Sequence, residues 1–298
     1  MLKRLIALML IAGSCSGADV ILGSISDGFT YSSFDANNVI VSFGGITSWT
    51  DPNSANLVAI YYMEQTNGTS VFTDSWTNNF DGTPMPSVAT GPTAGIDLGN
   101  RPDGKQETAT DFDGGNDCIL LSDDPKWSFG NGTTDKPFTV MAWINPDTTA
   151  GVMYLLNKDD NASNREYYWR LEPGGAMLLL LFDAPGYRYI TTLPVSTGVW
   201  THVACTYSGV GGTSAQNGLT AYTNGILSPS TASASGTYVA MSDGTYAPEI
   251  GRRGNSGYFN GLMDDFRPYS AELSSNAVWT IFDNTRHPTN SIETRLNQ

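Results

Sequence analysis

The chain has 298 residues, with 29 acidic and 15 basic side chains and a formal net charge of −14 at pH 7. This acidic balance argues against nucleic acid or an anionic membrane as a partner, because both require a basic surface. Hydrophobic residues make up 40% of the chain and aromatic residues 11%, alongside 32 glycines. The composition indicates a loop-rich globular protein, long enough for one large all-β domain or two small ones.

Residues 1–18 have the pattern of a signal peptide. Lys3 and Arg4 form a basic start, and the apolar run Leu5–Ala12 is too short to span a bilayer. Small residues precede a cleavage position after Ala18. We therefore predict a secreted, extracellular protein without membrane insertion. The alternative is a lipoprotein anchored at Cys15, although the usual apolar residue three positions before that cysteine is missing.

The remaining chain divides at a turn signal, Asp51-Pro52-Asn53-Ser54. We predict an N-terminal strand or linker extension over residues 19–56, one domain over 57–283 and a tail over 284–298. After Leu57, short strand-like runs alternate with Gly, Asn, Asp and Pro, and about a dozen such runs at this spacing predict an antiparallel β-sandwich. The one helix candidate is Ser274–Phe282, which Ser274 or Ser275 would cap and whose Val278 and Ile281 would dock on a sheet.

Several turns and strands are specified locally. The run REYYWRLEPGGAMLLLLFD predicts a hairpin about Pro173-Gly174-Gly175, and Asn224-Gly225 predicts a two-residue hairpin turn. The run VWTHVACTY is apolar or small on both alternating faces, which is typical of a strand covered on both sides. Pro268 removes a ladder donor, so we expect the strand that contains Asp264 to end early or to reach a sheet edge there.

This order of segments resembles the laminin-G-like, concanavalin A-like jelly roll. The matching phrases lie between Leu57 and Phe282: LVAIYYME, TDSW, TDFDGGNDCILL, FTVMAWINPD, VWTHVACTYSG, LTAYTNGIL, PEIGRR and FNGLMDDFRPYSAEL. The resemblance implies an all-β antiparallel sandwich with one short C-terminal helix. It implies no single activity, since the fold hosts lectins, adhesion modules and glycosidases.

The resemblance also defines what catalysis would need. Glucanases of this fold carry their acids on one strand as Glu-x-Asp-x-x-Glu, so that two carboxyl groups flank the scissile bond about 5–5.5 Å apart. No glutamate in this chain is followed two positions later by Asp. Asp264 and Asp265 are adjacent, so strand alternation would direct them to opposite faces. We expect His202, inside a strand, to be a buried and hydrogen-bonded residue, and we predict no catalytic residues.

A structural calcium ion is the metal that the resemblance implies. Related proteins often hold calcium where the first strand, the loop after it and the late acidic strand converge, and the matching positions are Glu64, Asp74 and Asp264 or Asp265. Carboxylates and backbone carbonyls from separate segments are ligands that calcium accepts. The alternative is that Asp74 caps a turn and that Asp264 pairs with Arg267 or Arg252.

Glycan binding requires an aromatic platform beside planar hydrogen-bonding groups. In the run REYYWRLE, alternation places Tyr168 and Arg170 on one face and Tyr167 and Trp169 on the other. The following run GYRYITT adds Arg188, or else Tyr187 and Tyr189. We predict ligand contacts from Tyr168, Arg170 and Arg188, with Trp127 on a loop as a further candidate. The alternative is an ordinary solvated sheet face.

These observations predict an exported, non-catalytic recognition module that binds a glycan or surface glycoconjugate. The alternatives are a glycoside hydrolase or lyase with acids on separate strands, and a structural or attachment protein of a virion or larger extracellular assembly. Cys118 and Cys205 either form one disulfide or remain two buried thiols. We also expect Trp143 and Trp200 in the core and Trp279 docking the terminal helix.

Overall fold

The computed structural model describes residues 51–63, 65, 70–85, 92–93 and 109–286. The alternating apolar runs of the sequence form fifteen β-strands in these residues. The strands are β1 (Thr83–Met85), β2 (Pro92–Thr93), β3 (Ala109–Asp113), β4 (Cys118–Leu120), β5 (Phe138–Pro146), β6 (Met153–Asp159), β7 (Arg165–Leu171), β8 (Ala176–Asp183), β9 (Gly186–Pro194), β10 (Thr201–Tyr207), β11 (Leu219–Thr223), β12 (Ile226–Leu227), β13 (Ser230–Ser235), β14 (Glu249–Ile250) and β15 (Asn260–Tyr269). The α-helix of these residues, α1, is Ser275–Arg286. Short 3-10 helices lie at Ser54–Asn56, Pro125–Trp127 and Gly212–Gly218.

The strands form two antiparallel sheets. One has eight strands in the order β1-β4-β14-β6-β7-β8-β9-β13, and the other has seven in the order β12-β11-β10-β5-β15-β3-β2. Side chains of both sheets meet in one core, where Tyr167 and Trp169 from β7 join Val140 and Ala142 from β5 and Val203 from β10. The architecture confirms the all-β antiparallel sandwich with one C-terminal helix.

The chain forms two compact units, and every described residue belongs to the unit that comprises residues 50–101 and 105–288. Residues 1–50 and 287–298 lie outside the described residues. The predicted signal peptide, most of the predicted extension and most of the predicted tail therefore lie outside them as well. No helix among the described residues is long and apolar enough to cross a membrane.

The Gly-Gly turn after β3 carries the chain from one sheet to the other. β3 pairs with β15 in the seven-stranded sheet, whereas β4 pairs with β14 in the eight-stranded sheet. Asp113 Oδ1 accepts the amides of Gly115 at 2.7 Å and Asn116 at 3.1 Å, which closes the turn. Gly114 has φ of +72°, a conformation that favours glycine.

Both predicted hairpins are present. β7 pairs with β8 across Pro173-Gly174-Gly175. Asn224 and Gly225 connect β11 to β12 with φ of +51° and +72°, which is the twist that a two-residue hairpin requires.

The closing strand β15 does not end early at Pro268. It continues to Tyr269, paired along β5, and Pro268 lies opposite Val140. Its carbonyl accepts the amide of Val58 at 2.9 Å. The Val58 carbonyl, which a residue with an N–H would have bonded, accepts Asn78 Nδ2 at 2.7 Å instead. The asparagine side chain therefore replaces the missing ladder donor, and the strand need not end.

The first segment, from Leu57, borders β15 through isolated bridges and not as a continuous strand. Leu57 bridges to Tyr269 and Tyr61 to Phe266. The first segment and the late acidic strand β15 therefore lie side by side, as the resemblance implies.

Helix α1 covers part of the outer face of the seven-stranded sheet. Ser274 Oγ accepts the amide of Ala277 at 3.2 Å and so acts as its cap, while Val278 and Ile281 are fully buried. Trp143 lies against this helix, with Nε1 donating to Thr285 Oγ1 at 2.9 Å.

The predictions for Trp279 and Trp200 are wrong, and the cysteine alternatives are resolved. Trp279 is 42% exposed on the helix instead of docking it, and Trp200 is half-buried just before β10. Cys118 and Cys205 are free, buried thiols that belong to different sheets.

Candidate functional site

The outer face of the eight-stranded sheet carries an apolar cluster that is separate from the core. Tyr154 of β6, Tyr168 of β7, and Leu178 and Leu180 of β8 are buried together there. Phe182, Tyr187 and Tyr189 pack against them while staying partly exposed. An antiparallel sheet ordinarily presents a polar outer face to water, so this face is unusually apolar.

A depression of about 540 Å³ lies on this face, which we call the outer groove. Its lining comes from β7, β8 and β9: Arg165, Tyr168, Arg170, Glu172, Leu178, Leu180, Phe182, Tyr187, Tyr189 and Thr191. The register forms rows across the three strands, with Tyr168 opposite Leu180 and Leu180 opposite Tyr189. The groove is therefore built on paired strands and not on loops.

Two tyrosines form the accessible aromatic side of the outer groove. The ring centroids of Tyr187 and Tyr189 are 6.0 Å apart with an interplanar angle of 37°. Ser235 and Ser233 of β13 lie opposite them in the register. Because these neighbours are small, the tyrosine rings remain partly exposed at this side of the sheet.

A fixed arginine–glutamate pair forms the polar side of the outer groove. Arg170 Nε donates to Glu172 Oε1 at 2.7 Å, and its Nη1 donates to Tyr154 Oη at 2.9 Å. The Arg170 guanidinium lies 4.7 Å from the ring centroid of Tyr168, and Arg253 lies 5.2 Å from the same ring. Two cations thus lie close to the Tyr168 ring, and burial raises the pKa of its hydroxyl, so this group stays protonated at neutral pH.

Buried charge anchors one end of the outer groove. Asp159, with no exposed surface, accepts from Arg253 Nη2 at 2.8 Å and pairs with Arg165 at 3.0 Å. The Arg165 guanidinium lies 3.6 Å from the ring centroid of Phe182. These cations are already paired, so the groove offers polar hydrogen-bonding groups without a large net charge.

The structure places two of the four predicted ligand contacts in the outer groove. Tyr168 and Arg170 line it, and Tyr167 and Trp169 lie in the core as expected. Arg188 points the other way: it is 2% exposed, and its Nη1 donates to the carbonyls of Tyr187, Ser235 and Gly236.

Trp127 is fully buried, which contradicts the expectation of an exposed loop tryptophan. It closes the 3-10 helix Pro125–Trp127, where Asp124 accepts the amide of Lys126 at 2.9 Å. Its ring packs against Phe80 with the centroids 5.9 Å apart.

The sequence reasoning missed the floor of the outer groove, Leu178, Leu180 and Phe182. These residues alternate with Leu179 and Leu181, which lie in the core. The signal was present in the unbroken apolar run, because a strand with one solvated face would alternate apolar with polar residues.

The predicted calcium ligands are only partly within the described residues, because Glu64 lies outside them. Asp74 Oδ1 accepts the amides of Ile60 and Trp76, both at 2.9 Å, and its Oδ2 accepts the amide of Phe80 at 3.0 Å. Asp74 thus caps the turn that brings the first segment beside β15. Within the described ranges, no three His, Cys, Asp or Glu side chains are grouped to hold a metal ion. The calcium site with Glu64 stays a prediction.

The adjacent acids of β15 do not face opposite sides. Asp264 lies opposite Trp143, which is buried as expected but outside the main core cluster, on the outer side of the sheet. Asp265 accepts from Arg267 Nε at 2.9 Å, and Arg267 lies opposite Met141 on that same outer side. A register shift between Asp264 and Arg267, with φ of +48° at Asp265, interrupts the alternation. Both acids are buried at 3% exposure, away from the outer groove.

His202 is buried at 1% exposure on that outer side, next to Trp143. Burial lowers its pKa to about 4, and its Nδ1 has no hydrogen-bond partner among the described residues. The expected burial is confirmed, the expected hydrogen bond is missing at Nδ1, and the histidine is neutral at physiological pH.

The two antiparallel sheets define a β-sandwich of the concanavalin A-like type, and the sequence comparison agrees. A profile of the concanavalin A-like lectin/glucanases superfamily, of laminin G type, matches residues 112–278, more than half of the chain. The chain belongs to this superfamily. No curated protein sequence matches it.

Solved structures with the same fold include domains of larger proteins. The binding domain of paraclostridial mosquitocidal protein 1 is 19% identical with a TM-score of 0.57, over 77% of this chain and 52% of that one. Domain 4 of an extracellular arabinanase from Geobacillus stearothermophilus, solved with arabinotriose, is 19% identical with a TM-score of 0.52, over 76% and 98%. Botulinum neurotoxin type C, whose cell entry depends on two ganglioside molecules, is 10% identical with a TM-score of 0.52, over 78% and 52%. The chain spans about half of the toxin chains it matches and nearly all of the arabinanase domain.

Proposed function

We propose that the protein is an exported, non-catalytic recognition module that binds carbohydrate in the outer groove. The observation that carries the proposal is the Tyr187–Tyr189 pair beside the fixed Arg170–Glu172 pair in one groove. Sugar rings have apolar C–H faces that stack on tyrosine, and their hydroxyl pairs match planar guanidinium and carboxylate groups. The arabinanase domain was solved with arabinotriose, and cell entry of the neurotoxin depends on gangliosides. Both similarities support a glycan as the ligand class.

The carboxylates of the outer groove favour binding over hydrolysis. Glu172 is the one carboxylate among its described lining residues, and Arg170 Nη2 holds it at 2.5 Å. Glycoside hydrolysis ordinarily uses two carboxyl groups on opposite sides of the bond. Incubation with a polysaccharide panel should therefore release no reducing sugar, and release that Glu172→Gln abolishes would contradict the proposal.

Binding is tested by calorimetry after a glycan array, with arabinotriose as the first soluble probe. We expect Tyr187→Ala and Tyr189→Ala each to weaken the affinity about tenfold, because each removes one stacking face. Trp279→Ala is the matched control, since Trp279 is an exposed aromatic residue on helix α1, outside the groove. Equal affinity in all three variants, with unchanged melting temperatures, would remove the outer groove from the site.

A further inference from the structure

A second depression lies at a different place on the molecule, and we call it the lysine cleft. It has a volume of about 620 Å³ and lies between residues 54–58, residues 76–78 and the 3-10 helix Pro125–Trp127. The side chains that matter for its chemistry are Trp76, Asn78, Lys126 and Lys136. It shares no lining residue with the outer groove.

The two lysines are exposed bases that lack a carboxylate partner among the described residues. Lys158 pairs with Asp123 at 2.8 Å and Arg252 with Glu249 at 2.9 Å, whereas the unpaired Arg188 is buried and donates to backbone carbonyls. Within the described part of the chain, Lys126 and Lys136 have no such partner. In a chain with 29 acids and 15 bases, two exposed ammonium groups without carboxylates form a local site for an external anion.

Neutral acceptors hold both ammonium groups in position. Lys126 Nζ donates to Asn78 Oδ1 at 2.6 Å, and Asn78 Nδ2 is in turn fixed on the Val58 carbonyl. Lys126 Nζ also lies 5.6 Å from the ring centroid of Phe80. Lys136 Nζ approaches the Ser128 carbonyl at 3.5 Å. An ammonium group carries three donors, so both lysines keep hydrogen atoms that a ligand can use.

Trp76 adds an apolar surface to the same cleft. It is half-buried, and its backbone amide is fixed on Asp74 Oδ1 at 2.9 Å. A tryptophan face beside positive charge suits a ring that carries an anion, because stacking and charge pairing act on one ligand residue. An inorganic anion would use the lysines alone, and so would the carboxylates of an acidic peptide.

We propose that the lysine cleft is a second glycan site, selective for a sugar residue that carries a carboxylate or a sulfate group. Lys126 and Lys136 bind the anion, and Trp76 stacks on the ring. The proposal is independent of the outer groove, whose lining offers paired charges and suits neutral sugars.

The test is calorimetry on the full chain with three probes: a galacturonate hexamer, its methyl ester and a sulfated hexasaccharide. We expect at least one anionic probe to bind and the methyl ester to bind at least about tenfold more weakly, because esterification removes only the charge. The affinity should fall between 50 and about 200 mM salt, since exposed charges are screened. Absence of binding by both anionic probes, or equal affinity for acid and ester, overturns the proposal.

Variants locate the site. Lys126→Gln combined with Lys136→Gln should reduce the affinity for the anionic probe about tenfold or more, with an unchanged melting temperature, because both side chains are exposed. Tyr187→Ala should leave it unchanged. The reverse result would place acidic sugars in the outer groove and overturn the assignment of the cleft, without affecting the proposed function.

Trp76→Ala separates a glycan from other anions. This substitution should weaken the affinity for the hexamer about tenfold while leaving the weak binding of inorganic sulfate unchanged. A glutamate hexapeptide that binds as tightly as the sugar and is insensitive to Trp76→Ala would identify an acidic peptide site instead, and that result overturns the proposal.

Discussion

Neighbouring residues of one strand face opposite sides of the sheet, and strand β9 is the clearest example. Tyr187 and Tyr189 face the outer groove, whereas Arg188 between them is buried and bonds three backbone carbonyls. Burying an arginine is costly unless its donors find acceptors, and here the two terminal nitrogens are bonded by carbonyls of β9, β13 and Gly236, whereas Nε has no partner among the described residues. An arginine in a tyrosine-rich run is therefore a structural residue in this case.

Glu166 is the residue whose ionisation should be most visible in the stability of the fold. It is 1% exposed, and it pairs with the fully buried Lys158 at 3.0 Å. Burial raises its pKa from 4.5 to about 7, although Lys158, the amide of Gly244 and Ser128 act in the opposite direction. Because the folded pKa lies above the unfolded one, its favourable contribution is complete below pH 4.5 and is lost as the pH rises through 7.

We therefore expect the wild-type free energy of unfolding to fall between pH 5 and pH 8 relative to that of Glu166→Gln, by up to about 3 kcal/mol. Chemical denaturation of both proteins across this range measures the difference, in which the opposite titration of His202 cancels. Glu272→Gln, which removes an exposed carboxylate, should keep the wild-type slope. Parallel curves for Glu166→Gln and wild type would contradict the prediction.

Elements in this fold are positioned by a few side chains that replace missing backbone bonds. Asn78 supplies the donor that Pro268 lacks, so β15 continues past this proline to Tyr269. Asp74 collects three amides and so places the first segment beside β15. The hairpin between β11 and β12 is positioned by packing instead, because Gly225 lies directly against the ring of Phe282 on helix α1.

Gly225→Ala should destabilise the protein for two reasons. Its φ is +72°, and an added Cβ would lie 2.6 Å from Phe282 Cδ1. We expect a loss of about 3 kcal/mol in chemical denaturation, from backbone strain together with overpacking. Gly174→Ala is the control, since Gly174 has φ of +91° but no atom within 4 Å of the added Cβ, and it should lose only about 1–2 kcal/mol. Equal losses would show that the turn does not press on the helix.

At the scale of the whole molecule, the two sheets differ in what covers their outer faces. The seven-stranded sheet is covered on its outer side by α1 over Trp143 and His202, while the eight-stranded sheet keeps its outer groove open. The buried charges of the closing strand, Asp265 with Arg267 at 2.7 Å, lie on the covered side. The buried charges of β15 and the groove of the proposed function therefore lie on different outer faces.

The proposed calcium ion belongs to this scale, because it would join the first segment to the closing strand. Added calcium should raise the melting temperature and a chelator should lower it, since an ion bound only by the folded state stabilises that state. Asp264→Ala should abolish the response while leaving glycan affinity unchanged. A melting temperature that is the same in calcium and in chelator would remove the ion from the fold.

Residue type and strand period alone determine many structural features of this protein. The hairpin glycines, the Ser274 cap, the end of β5 at Pro146 and the core positions of Tyr167 and Trp169 all follow from residue type and strand period. Tyr168 and Arg170 could likewise be placed on one outward face, because alternation depends only on neighbouring residues.

Other features depended on contacts between distant parts of the chain. Pairing with β13 sets which face of β9 points outward. Residues 76–80 bury Trp127 through its contact with Phe80. The side chain of Asn78 allows β15 to continue past Pro268. The bulge at Asp265 likewise places two adjacent acids on one side, where the strand period alone separates them. Burial and hydrogen-bond satisfaction are properties of the assembled sandwich, so no local pattern could have indicated them.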